Sequence, residues 1–199
     1  MHARLYIWVL ALTPFLIIGG CGLPEGDQTT PAGAHYQWLA VRASGDTDAM
    51  WALLDPAARH EFDRWLLVEK LVLNEIKTAY PRDDVAAALK AIDGGTRGEM
   101  ADGKALFASF LVETKPEAVG GLGALGARVS DEVVNSEALT ATVKTYGGTD
   151  VQLVGDAEGR WYVVLSEAQM GNLQSARRQA ERNLARVRSN LKKLGSHGR

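Results

Sequence analysis

The residue whose type and position come closest to chemistry is a single carboxylate. From Asp55 to Tyr80 the sequence has the period of a long helix, with an apolar face made by Ala58, Phe62, Trp65, Leu66, Val72, Leu73, Ile76 and Tyr80. Glu69 falls in the middle of that face. A carboxylate there is desolvated, which favours its protonated form and makes it a candidate general acid, general base or ligand-orienting group. The alternative is a paired acid, neutralised by Arg42, Arg128 or Arg160, or a helix rotated so that the group reaches water. Tyr36, Trp51, Trp65 and Trp161 complete the candidate pocket around Glu69; Trp38, Trp51, Trp65 and Trp161 read most simply as core, with one or two of them as pocket walls, because aromatic walls suit apolar ligands.

Other constellations point away from catalysis. His60-Glu61-Phe62-Asp63 gathers two acids and an imidazole in one turn but lacks the HExxH spacing that sets two imidazoles on one metal. His60 and Asp63 share a helix side with Lys70, Asn74 and Lys77, which reads as a solvated face. His35 sits beside the tether and either faces a pocket mouth or, having no identifiable acid partner, is a surface residue, and no serine sits in a GxSxG elbow. The glycine run from Gly120 to Gly126 lacks both the lysine and the strand-to-helix setting of a phosphate-binding loop, and reads as a connector. No catalytic set, metal ligand set or cofactor is therefore expected.

The chain opens with Arg4, an apolar run from Leu5 to Ile18, two glycines and Cys21, the order of an export signal. The apolar run is 14 residues (18 − 5 + 1) and is interrupted by Thr13-Pro14, whereas a bilayer-crossing helix needs roughly 20. Ile18-Gly19-Gly20-Cys21 resembles the lipobox of bacterial lipoproteins. The resemblance implies cleavage before Cys21, a diacylglycerol on its sulfur and a further acyl chain on its new amino group; several chains are what stable anchoring requires. Cys21 is also the sole cysteine, so an internal disulfide or a Cys-rich metal site is excluded. Gly22, in place of an aspartate, implies by the same resemblance delivery to the outer membrane, with the body facing the periplasm.

Charge is divided along the chain. The formal net charge is −2, and loss of residues 1–20 removes Arg4 and no acid, leaving −3. Residues 172–199 hold eight basic side chains against Glu181, a net of +7, so residues 21–171 carry −3 − 7 = −10. Within this basic tail Leu173, Ala176, Ala180, Leu184, Val187, Leu191 and Leu194 recur at steps of three and four. That seam could dock on the acidic body, zip against a partner helix, or lie on anionic lipid headgroups. Leu173, Leu184, Val187 and Leu191, with Arg177, Arg182 and Arg186, are the candidate partner-binding residues. Nucleic acid is not an expected partner of an exported chain.

The elements that would position these groups follow from turn and cap signals. Residues 22–33 are glycine- and proline-punctuated and read as a flexible tether, with structure expected from about Ala34 to Glu167 and a basic helix over 168–199. Tyr36, Leu39, Ala40 and Ala43 define the apolar face of a first helix ending at Ser44-Gly45-Asp46, and Asp46 or Thr47 caps a short second one. Asp55-Pro56 starts the long helix and Pro81 stops it; a further helix is expected near Asp84–Ile92, and Gly103–Val112 reads as a helix or, from Leu106, Phe107, Phe110, Leu111 and Val112, as a buried strand. Arg128–Val134, Ala138–Tyr146, Asp150–Val154 and Arg160–Leu165 read as an antiparallel meander, with Leu139, Ala141, Val143 and Thr145 facing one way.

An α+β plan of helices followed by a meander resembles the nuclear-transport-factor-2-like, or SnoaL-like, cone fold. The likeness is carried by RASGDTDAMWALLDPAARHEF, TATVKTY and VQLVGDAEGRWYVVL over about residues 34–167, with Pro81–Gly126 and the last helix as additions. The resemblance implies a pocket between helices and sheet, and it leaves function open. Two readings stand. The first is a non-catalytic envelope lipoprotein that binds a protein partner through the tail helix; the second is a small apolar-ligand binder, or an enzyme, using Glu69.

Overall fold

The computed structural model describes residues 23–114 and 122–197, so the signal segment, Cys21 and Gly120-Gly121 lie outside the described residues. The architecture is α+β. The described residues form seven helices and one four-stranded antiparallel sheet of order β1-β2-β3-β4: α1 Pro31–Ser44, α2 Thr47–Leu53, α3 Pro56–Ala79, α4 Arg82–Lys90, a 3₁₀ turn Asp93–Glu99, α5 Gly103–Thr114, α6 Leu122–Gly126, β1 Val129–Asn135, β2 Thr140–Thr145, β3 Asp150–Gly155, β4 Trp161–Val163 and α7 Glu167–His197. No helix among the described residues is long and apolar enough to cross a membrane.

The helix starts obey their capping residues. The Thr30 hydroxyl accepts from Gly33 N at 3.0 Å with Pro31 in the first turn, Asp46 Oδ1 accepts from Ala49 N at 2.9 Å, and Asp55 Oδ1 accepts from Ala57 N at 3.1 Å. Gly45 closes α1 in the left-handed region, φ 72°, where a side chain would be strained. The first helix therefore begins three residues before the expected Ala34. The segment leading to it is packed: Gln28 O accepts from Trp161 N at 2.8 Å while Gln28 Nε2 donates to Trp161 O at 3.1 Å. Gly26 lies so near α1 that a Cβ there would stand 2.2 Å from Gln37 N. The expected tether of 22–33 is thus shorter, because its second half pairs with β4 and caps α1.

Three apolar clusters hold the body together. Phe62, Trp65 and Leu66 of α3 pack with Leu106, Phe107 and Phe110 of α5 and with Leu173 and Ala180 of α7. Ala34 of α1 covers Ala141, Val143, Leu153 and Val163 on the inner face of the sheet. Val72 and Ile76 of α3 meet Val187 of α7, with Leu184 and Leu191 beside them. The sheet alternates as its sequence requires, Ala141, Val143 and Thr145 being buried while Leu139 sits in the β1–β2 turn at φ 49°, 40 % exposed and outside the strand. Leu54 bridges Val163 in parallel, tying the α2–α3 corner to the edge strand β4.

The tail helix folds back on its own domain. Leu173 is fully buried and Val187 nearly so, which removes both from the surface a second chain could touch; Leu184 and Leu191 are half-buried on the same side. Electrostatics reinforces the docking. Arg177 bonds Glu61 of α3 and Glu181 of its own helix, and Arg188 bonds Glu75 of α3 at 2.7 Å. The acidic body and basic tail are thus partly each other's counter-charge. Arg182 and Arg186 remain exposed.

Candidate functional site

A cavity of about 610 Å³ lies between α1, the inner face of the sheet and the start of α7. Its α1 wall is one stripe, His35, Trp38, Leu39 and Arg42, at the i, i+3, i+4, i+7 spacing that places four side chains on one helix face. Opposite stand Thr145, Val151 and Leu165, and Ala127 closes one end. The wall mixes apolar side chains such as Trp38, Leu39, Met50 and Leu165 with polar ones, among them Arg42, Asp150, Gln152 and Gln169, a lining that suits a small molecule with an apolar body and a polar group.

His35 is the best-buried polar group there, 3 % exposed. Its Nε2 lies 2.9 Å from the Ala127 carbonyl, which can only accept, so Nε2 carries the hydrogen and Nδ1 holds the lone pair. Nδ1 has no hydrogen-bond partner among the described residues. Burial holds the imidazole below its ordinary pKa, against a smaller opposing pull from the Ala127 carbonyl, so the ring is neutral at pH 7. The reading of His35 as a surface residue is overturned: α1 is turned about one residue from the expected face. Pro31, Ala34, His35 and Leu39 point inward, while Ala40 and Ala43 are exposed.

Arg42 closes the stripe at the last turn of α1 and makes no ion pair with any described residue. A half-buried guanidinium beside apolar walls is a ready donor for a carboxylate, phosphate or carbonyl oxygen. Ser166, also on the wall, is engaged elsewhere, its hydroxyl donating to Gln169 Oε1 at 3.1 Å at the start of α7. The arrangement can bind and orient a molecule. A neutral imidazole shielded at Nδ1 and an unpaired arginine do not by themselves make a nucleophile–base pair.

The residues singled out in the sequence lie elsewhere. Trp51 packs on Phe62 and Phe107, with ring centroids at 6.0 and 5.5 Å. Trp65 is core, and its Nε1 donates to Glu69 Oε1 at 2.9 Å, one helical turn on. Glu69 is half-buried and takes this indole, rather than Arg42, Arg128 or Arg160, as its partner. The Tyr36 hydroxyl accepts from Val129 N at 2.9 Å, fastening α1 to β1, and Trp161 packs beside the sheet cluster. None of the five lines the cavity, and apart from the Trp65–Glu69 pair the structure does not gather them into one site. Trp38, one of the tryptophans read as core or pocket wall, and His35 do line the cavity, while Leu39 and Arg42 carried one further signal, the spacing from His35 to Arg42 on a face one residue from the expected one. Comparison of the chain with protein-family models, with curated proteins and with solved structures finds no match.

Proposed function

We propose that this chain is an envelope lipoprotein, acylated at Cys21, whose body is a non-catalytic module that holds a small, mostly apolar molecule in the α1–sheet cavity. The cavity is the observation that carries the reading: four side chains of one helix face, among them Arg42 with no ion pair to any described residue, stand across from the inner face of the sheet. Trp38 and Leu39 supply the apolar floor, and Arg42 grips an oxygen-bearing group of the ligand. The order of helices before a meander, with a cavity between them, supports a cone-like fold. Burial of Leu173 and Val187 against α3 weighs against the seam as a socket for a protein partner, and so favours the ligand-binding reading over the assembly reading.

Anchoring and binding are tested separately. The intact mass of protein taken from the envelope reads the anchor. A product beginning at Cys21 and carrying acyl mass is expected, and a Cys21→Ala chain that is processed and retained equally would refute it. Binding is read from what the purified protein carries. One small molecule per chain is expected, and release of it on Arg42→Ala marks the cavity as its place.

A further inference from the structure

We infer that the outward face of α7 is an electrostatic docking surface for anionic lipid headgroups. From residue 168 to the end of the chain the sole acid is Glu181, and Arg177 bonds it. Arg177 and Arg188 are spent on the body, through Glu61 and Glu75. Arg178, Arg182, Arg186 and Lys192 are exposed and make no ion pair with any described residue. At about 100° per residue they fall within an arc of about 120°, diametrically opposite Leu173, Ala180 and Val187. The stripe runs about 21 Å along the helix at about 1.5 Å per residue.

Two features select a bilayer as the occupant. Between the cations stand Ser175, Ala185 and Ser189, small residues that supply none of the buried aromatic or aliphatic anchors on which specific protein interfaces depend. A row of long cations with no apolar anchor matches a planar array of mobile phosphates. The second feature is reach, and it rests on the lipidation proposed above. Gln28 is fixed to Trp161, so six residues separate Cys21 from it, a reach of at most about 25 Å of extended chain. An acylated Cys21 would therefore keep the body against the headgroup layer, where the stripe adds a second attachment and sets which side of the body faces the lipid.

The test uses the chain from residue 21 onward with Cys21→Ser, which retains every described element and carries no acyl group. It is sedimented with vesicles of phosphatidylglycerol and phosphatidylcholine, or of phosphatidylcholine alone. Binding to the anionic vesicles only, weakening as salt is raised, is expected. The triple variant Arg178→Gln, Arg182→Gln, Arg186→Gln should keep the parent's circular dichroism and lose affinity by about fivefold per cation, on the order of 100-fold in total. Equal binding to neutral vesicles, no binding to anionic ones, or an unchanged triple variant overturns the inference, as does capture of an acidic protein or polysaccharide without vesicle binding. Because the probe lacks the acyl chains, its failure is distinct from a failure of Cys21 lipidation, which the intact mass of the envelope protein reads.

Discussion

Leu173→Ala measures whether α7 is part of the body or a helix awaiting another chain. Leu173 is fully buried in the cluster that joins α3, α5 and α7. Truncation to alanine deletes three carbons, about 2.4 kcal/mol at about 0.8 kcal/mol per buried methylene. The remaining void adds about 1 kcal/mol where the surrounding rings relax only in part, for a total of about 3–4 kcal/mol. An undocked helix predicts the opposite sign, since alanine is at least as good a helix former as leucine. Urea unfolding followed by circular dichroism reads the difference as a lowered midpoint at constant slope. Arg182→Ala, on the exposed side, serves as the control and should lie within about 0.5 kcal/mol of the parent. A Leu173→Ala midpoint indistinguishable from that of Arg182→Ala would refute the docked helix, and with it the assignment of the α7 cations to an outward face.

Two further outcomes follow from the same packing. His35 is held neutral by burial, so its folded pKa is depressed and the unfolded chain binds the extra proton: stability is fully present above the ordinary histidine value of about 6.5 and falls as pH drops through it. His35→Gln should flatten that slope between about pH 5 and 7, and an unchanged slope in urea titrations would contradict the assignment. Gly98 lets the 3₁₀ turn touch α3, since a Cβ there would stand 2.8 Å from the Glu69 carbonyl oxygen and 2.9 Å from Leu73 Cβ. Gly98→Ala should cost about 1–3 kcal/mol, while Gly171→Ala, in open space within α7, should gain about 0.5–1 kcal/mol; thermal melts showing the reverse order would show the packing to be wrong.

How much of this was legible in the sequence depended on whether the signal was local. The Asp55-Pro56 start, the Pro81 stop and the glycine turns of the meander are matters of capping and backbone preference, and the elements they bound fell within a few residues of expectation, whereas Leu122–Gly126, read as connector, forms a short helix that its glycines gave no sign of. The apolar face of α3 also held, from Ala58 to Ile76, because a long helix averages out single errors of phase. α1 did not allow this. It is short and wedged between sheet and helices, its mean face is weakly defined, and Ala40 and Ala43 resembled core while lying outside. A shift of one residue turns a helix by about 100°, enough to put Leu39 with Ala40 and Ala43 on the expected face and leave the His35–Arg42 stripe off it. Glu69 itself sat on the apolar face as expected, but the indole of Trp65 one turn earlier satisfied it, a contact that depends on rotamer rather than on pattern. The seam of α7 was plain from its spacing, whereas its occupant was not, because period alone names a buried face without naming what buries it.

Native mass spectrometry of the protein isolated from the envelope, comparing the parent with Arg42→Ala, tests ligand binding in the cavity most directly. One small molecule per parent chain, of a size that a volume of about 610 Å³ can hold and absent from the variant, is the predicted result. An empty parent, or the same adduct at equal occupancy on both proteins, would contradict it.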